Sequence, residues 1–234
     1  MKSSFSCQDE FVSALSEVDI LVRVAESNQK KPEEYTIFNK ACLLFLVAKF
    51  EVFLENAVAE YAFRLGKLRL PAIHFPEIIK LHCARHLIDE QFLVALENLK
   101  SSAAERLKEL SLFWHSTQQL DSIKIDNSFD YGTHGQNAIT KLFARIGIED
   151  IFEECAVYET RELLSEGTES QRPVDIAADV NSMTGIRNNI LHNDATPNLT
   201  HWQIVAYRQH LILFADKLVE LLGKSLEGLS CCAT

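Results

Sequence analysis

The chain has 234 residues, 47% of them hydrophobic, and a formal net charge of −10 at pH 7. That is enough apolar matter for one full core in a single large domain. The acidity argues against a protein that coats RNA or DNA, whose affinity comes from neutralising many phosphates, but does not exclude an enzyme that grips a few nucleotides in a local basic cleft.

In chain order, Asp9 to Ser27 carries helical periodicity, with apolar positions at Phe11, Val12, Leu15, Val18, Leu21, Val22 and Ala25. The polar stretch Ser27 to Pro32 breaks it. A long helix is expected from Glu33 to Leu65, with Gly66 at the position of a C-terminal cap. Its middle is apolar on nearly every side, from Leu43 to Leu54, a profile that belongs in the centre of a bundle. Glu51 and Glu55 stand out on that rod. They lie either on its exposed stripe or, for one of them, within reach of Arg187.

Lys67 to Pro76 is a connector with two prolines, and Glu77 to Leu99 and Ser102 to His115 read as one broken helix. His82, Cys83, His86 and Glu90 share helical spacing there, but a structural metal site needs more ligands than this face offers. Ser116 to Gly135 is polar and is expected as a long loop. Gln136 to Ile146, Asp150 to Leu164 and Val174 to Ile190 are expected as three shorter helices. Thr200 opens a strong final helix running to Leu222, with Gln203 completing a capping box and Trp202 among its apolar positions. No alternating apolar run suggests a sheet. The fold class is therefore all-α, in one domain spanning residues 1–234 with a loop-rich insertion near 116–135.

No uncharged apolar run reaches the roughly 18 residues of a membrane span, and the N-terminus lacks the apolar centre of a signal peptide. Six scattered cysteines without paired spacing are expected as free thiols, which makes the cytoplasm the expected location.

The densest chemistry lies at Arg187-Asn188-Asn189-Ile190-Leu191-His192, followed by Asn193 and Asp194. On a regular helix Arg187 and His192 point about 140° apart. Both face one ligand only if the helix ends or opens between them, and Asn193, Asp194 and Pro197 supply the expected exit. Arg69 and His74 have the same spacing, but Leu70 follows the arginine and Pro71 rules out a regular helix interior. The residues alone also suit an ordinary helix terminus, with Arg187 near the negative end of the dipole and His192 bonding a loop carbonyl.

An Arg, a polar residue and a His late in an all-helical chain resemble the motif of the HEPN superfamily. The wording from Arg187 to Thr200 is similar to its RiboL-PSP-type branch, as are Phe50 to Tyr61 and Asn137 to Ile148. The resemblance implies a HEPN-like bundle with a long central helix and extra short helices. It also implies a metal-independent endoribonuclease, a toxin or defence effector, that needs no cofactor and cleaves RNA by 2′-hydroxyl attack. Arg187, Asn188 and His192 would be catalytic, with Glu51, Asn189, Asn193 and Asp194 in support and no metal ligands. The implied partners are the RNA substrate, a second copy in a homodimer, and an antitoxin or other protein from a neighbouring gene; no membrane is expected. A non-catalytic helical module that binds a nucleotide or a partner protein is the alternative.

Overall fold

The structure is a computed structural model that describes residues 5–85, 88–117, 123, 125–130, 134–162 and 169–231. Its elements in order are α1 (Ser6–Ser27), α2 (Pro32–Lys67), a 3₁₀ turn (Ala72–His74), α3 (Glu77–Ala84), α4 (Glu90–Glu97), α5 (Ser101–Trp114), α6 (Gln136–Ala144), α7 (Ile151–Glu154), β1 (Val157–Glu162), β2 (Glu169–Val174), α8 (Ile176–Asn193) and α9 (His201–Cys231). The all-α expectation holds, and α2 is the element against which α1, α6, α8 and α9 pack.

Aromatic rings join these helices. Phe11 of α1 stacks on Phe53 of α2 at 4.7 Å, and Phe50 of α2 meets Phe214 of α9 edge-on at 6.0 Å. Phe152 of α7 also stacks on Phe214, at 5.7 Å. Each large ring contributes apolar burial and adds a directional preference that fixes the rotation of its helix.

Several expectations are corrected. Gly66 does not cap α2, which runs on through it to Lys67. Bonds from the Leu68 and Arg69 N–H groups to the carbonyls of Leu65 and Gly66 tighten the end, and Arg69 takes the left-handed turn at φ 50. The expected helix from Asp150 to Leu164 is helical only over Ile151–Glu154, and residues 163 and 164 lie outside the described residues. The chain then enters a two-stranded antiparallel ribbon, in which Val157 pairs with Val174. Val157 is buried and Tyr158 exposed, the alternation of a half-buried strand, and it is only two residues long in sequence terms before charges take over. The first part of the expected broken helix is two helices, α3 ending at Ala84 and α4 starting at Glu90, and the rest starts afresh at Ser101. The loop expected from Ser116 to Gly135 contains no helix or strand among its described residues, where Ile123, Ile125 and Phe129 pack onto the core.

The start of α1 is capped from a distance. Glu60 of α2 accepts hydrogen bonds from the Ser6 N–H (3.0 Å), the Cys7 N–H (2.9 Å) and the Ser6 hydroxyl (3.0 Å), and Arg64 donates to it from Nε at 2.9 Å. A carboxylate at a helix N-terminus satisfies donors that the helix cannot and faces the positive end of its dipole. Burial works to raise the Glu60 pKa, but the bonds from Cys7, Ser6 and Arg64 outweigh it and hold the group below its ordinary value of 4.5. A folded-state pKa below the unfolded one gives stability that is present above the unfolded value and lost as pH falls through the folded one. Glu60→Gln should therefore cost about 1–3 kcal/mol at neutral pH, the range for hydrogen bonds to a charged group. In chemical denaturation the deficit relative to the wild type should shrink as pH drops below 4.5; an equal deficit at acid pH would refute the charge-based cap.

Candidate functional site

The Arg187–His192 segment lies wholly inside α8. Asp175 opens that helix, its carboxylate accepting from the Ala178 N–H at 2.9 Å. The helix ends only after Asn193, where Asp194 turns left-handed at φ 46, ψ 35. The Asp194 and Ala195 N–H groups both return to the Asn189 carbonyl, the latter at 3.1 Å, which closes the end of the helix. The expected opening between Arg187 and His192 is absent. The exit signals at Asn193 and Asp194 act one residue beyond the motif, so the two side chains leave the helix about 140° apart.

Each faces different surroundings. Arg187 lies one turn beyond Met183 and Thr184, which are buried against α2, and is itself half-buried. Its Nη1 donates to the Asn188 side-chain oxygen at 2.9 Å. Asn188 therefore holds the guanidinium, rather than the imidazole. His192 is exposed and has no hydrogen bond or ion pair among the described residues. Asn193 donates to the Asn189 side-chain oxygen at 3.3 Å, and Asp194 is fully exposed.

Glu51 does not engage Arg187. Its Oε1 lies 2.8 Å from His134 Nδ1, and Glu55 instead accepts from the Phe129 N–H at 2.9 Å. The Glu51–His134 pair lines a cavity of about 10 Å³ with Gly135, Val180, Met183 and Thr184, one turn of α8 short of Arg187. Gly135 has φ +84, and a Cβ there would stand 3.0 Å from the Asn181 side-chain oxygen that receives the Gln136 N–H. His134 carried no sequence signal, because it sits alone in a polar loop.

The exit from α8 is pinned to the first half of α2. Lys40 Nζ donates to Thr196 Oγ1 at 3.3 Å and lies 4.0 Å from an Asp194 oxygen. Asn39, which is buried, donates to the Leu199 carbonyl at 2.9 Å. Tyr35 shares a 2.9 Å hydrogen bond with Nδ1 of buried His201, on which exposed Trp202 packs with ring centroids 4.6 Å apart. The expected capping box forms, with the Gln203 N–H reaching Thr200 Oγ1 at 3.3 Å and the Thr200 N–H reaching Gln203 Oε1 at 2.9 Å. Lys40 was missed in sequence, although it and Glu51 are eleven positions apart and so share one face of α2 to within about 20°.

Other chemistries find no support among these residues. Burial pushes the Cys7 and Cys155 thiols up to about 12 and that of Cys42 to about 11, so all three stay protonated. His86 lies outside the described residues; among the described ones no group of three or more His, Cys, Asp or Glu converges as metal ligands. At the decoy spacing Arg69 is an exposed turn residue and His74 ends the 3₁₀ turn. No described helix is long and apolar enough to cross a membrane.

Because Asp194 occupies a left-handed conformation, Asp194→Gly should leave stability unchanged or slightly higher, whereas Asp194→Ile should lose about 1–2 kcal/mol. Thermal unfolding of the two variants tests this. Equal values would mean that α8 does not end at this turn in solution.

Compared with known proteins, the chain matches the family model described as RiboL-PSP-HEPN over residues 9–224. No curated protein and no solved structure gives a significant match.

Proposed function

The chain belongs to the RiboL-PSP-HEPN family, and on that premise we propose that it is a metal-independent endoribonuclease whose working residues are Arg187, Asn188 and His192. The observation that carries the reading is the exposed imidazole of His192, without a partner among the described residues, on the same helix as a guanidinium already oriented by Asn188. RNA brings its own nucleophile, the 2′-hydroxyl beside the phosphate it attacks. Imidazole, the side chain that ordinarily titrates nearest neutral pH, suits the proton transfers, and His192 supplies one. Arg187 presents a planar, permanently charged fork to the phosphoryl oxygens. The 2′-oxygen bonds to phosphorus as its proton leaves, and the 5′-oxygen departs and takes up a proton. The products are a 2′,3′-cyclic phosphate and a 5′-hydroxyl.

The working unit in this reading is a homodimer. Within one copy, side chains about 140° apart on an unbroken helix do not converge on one phosphate. Two copies facing each other supply two imidazoles on opposite sides of the scissile bond, one removing a proton and one delivering it. They also pair two guanidinium groups, making a local positive field on a chain whose net charge is −10. Asn189, Asn193 and Asp194 line the exit beside His192, and the exposed Asp194 carboxylates offset repulsion between the facing cations. A role as a toxin or defence effector restrained by a neighbouring-gene protein, acting in the cytoplasm, completes the proposal. The same divergence on α8 favours a second reading, a non-catalytic module that binds a nucleotide or a partner protein, if the chain works as a monomer.

His192→Ala and Arg187→Ala should each lower RNA cleavage by at least about a hundredfold, the range for losing an acid–base group or a charge stabiliser. Arg69→Ala and His74→Ala should leave it unchanged. Inactivity of the decoy pair's variants with full activity of the motif variants would place the site elsewhere.

Cleavage by the purified protein should persist in excess EDTA and yield 5′-hydroxyl ends. Activity lost to EDTA and restored by magnesium would overturn the metal-independent chemistry. Full activity in a species that sediments as a monomer would remove the composite site and leave the residue roles standing.

A further inference from the structure

A second imidazole stands beside the motif. His134 Nδ1 lies 2.8 Å from Glu51 Oε1, and the two side chains are 24% and 25% exposed. An ionised carboxylate only accepts, so this contact puts the proton of a neutral imidazole on Nδ1 and leaves Nε2 with its lone pair. Nε2 has no partner among the described residues. His201 and His210 differ, because both of their ring nitrogens are engaged, by Tyr35 and Gln29 in one case and by Asp179 and Glu159 in the other. An imidazole oriented through one nitrogen by a carboxylate, and open at the other, has the arrangement of a general base.

Its place follows from the helical period of α8. Val180, Met183 and Thr184 line the same small cavity as Glu51 and His134. Arg187 follows Val180 by seven positions and Thr184 by three. That sets it about 20° and 60° from them around the helix, and about 4.5 Å beyond Thr184 along it. His192 is turned about 140° from Arg187. The imidazole on the guanidinium's side of α8 within one copy is therefore His134. The cavity of about 10 Å³ has room for one water-sized group, such as a ribose hydroxyl. The loop that carries His134 is fastened on both sides without it. Glu55 accepts from the Phe129 N–H, and Asn181 accepts from the Gln136 N–H and donates to the Gln136 side-chain oxygen.

We propose that His134 is a further catalytic residue, the general base that takes the 2′-hydroxyl proton, with Glu51 as its positioning residue. The inference rests on the ribonuclease reading above. In that reaction the 2′-hydroxyl proton passes to His134 Nε2 as the 2′-oxygen bonds to phosphorus. The bond from phosphorus to the 5′-oxygen breaks, and the leaving oxygen takes its proton from His192, which the second copy presents. Arg187 holds the phosphoryl oxygens between the two imidazoles. Glu51 faces the positive charge that His134 gains, so the imidazolium is stabilised where it forms. Each scissile phosphate then uses one His192 rather than two.

His134→Gln separates this role from a structural one, because the glutamine amide still donates to Glu51 but takes up no proton. Its thermal unfolding should match the wild type, while RNA cleavage falls at least about a hundredfold, the range for losing an acid–base group. His134→Ala should show the same loss and recover activity when imidazole is added. In both variants the rise of rate with pH on the acid side, which reports deprotonation of the base, should disappear. His134→Gln with the wild-type rate, or His134→Ala with an unchanged pH profile and no recovery in imidazole, would overturn the inference. If His192→Ala is inactive in that same assay, the ribonuclease reading stands without it. Wild-type protein that cleaves no RNA would remove both.

Discussion

The rest of the structure depends on covering α2. A helix of 36 residues that is apolar on nearly every side cannot stand in water, and the surrounding elements are arranged to shield it. α1 lies along one flank, held by ring stacking at Phe53 and an ion pair of 3.0 Å between Lys49 and Glu17. α9 covers a second side through Phe214, and α8 a third through Val180 and Met183. Because α2 borders every one of these, a polar group on it reaches several distant parts of the chain. Glu60 caps α1, Glu51 receives His134, and Asn39 and Lys40 hold the loop beyond the motif.

The chemistry follows from where α8 is anchored. Its first two turns bury Ile176, Val180 and Met183, and a further clamp joins it to its neighbours. His210 of α9 lies 2.6 Å from Asp179 of α8 by Nδ1 and 2.6 Å from Glu159 of β1 by Nε2. The last two turns, which carry Asn188 to Asn193, extend past that anchored region toward solvent. The helix keeps its hydrogen bonds to Asn193 and closes on Asp194, so the motif is rigid where the sequence suggested an opening. Rigidity separates Arg187 from His192. It is this separation, rather than the motif's composition, that makes a second copy necessary for the proposed reaction.

The cleft between motifs proposed above is small, charged and meaningful only with a phosphate between the cations. In a chain of charge −10, the proposed pairing of two Arg187 side chains concentrates positive charge that one copy of the motif does not.

Much was legible in the residues because it depended on local pattern. The period of Phe11, Leu15, Val18 and Val22 determined α1, the apolar rod from Leu43 to Leu54 determined the central position of α2, and Thr200 with Gln203 determined the start of α9. The motif from Arg187 to His192 was also legible, since a guanidinium, amides and an imidazole within six residues stand out in any fold. What local pattern did not contain was direction and partnership. Glu51 looks available to Arg187 in sequence, but its bond to His134 depends on a loop that returns from 83 residues away. Asp150 to Leu164 looks helical until Val157 finds Val174, a pairing that only the ribbon provides. The helical period placed Arg187 and His192 about 140° apart, but whether α8 would open between them was decided by tertiary structure. Lys40, Asn39 and Tyr35 fasten the chain after the helix has already ended, and leave its last two turns regular.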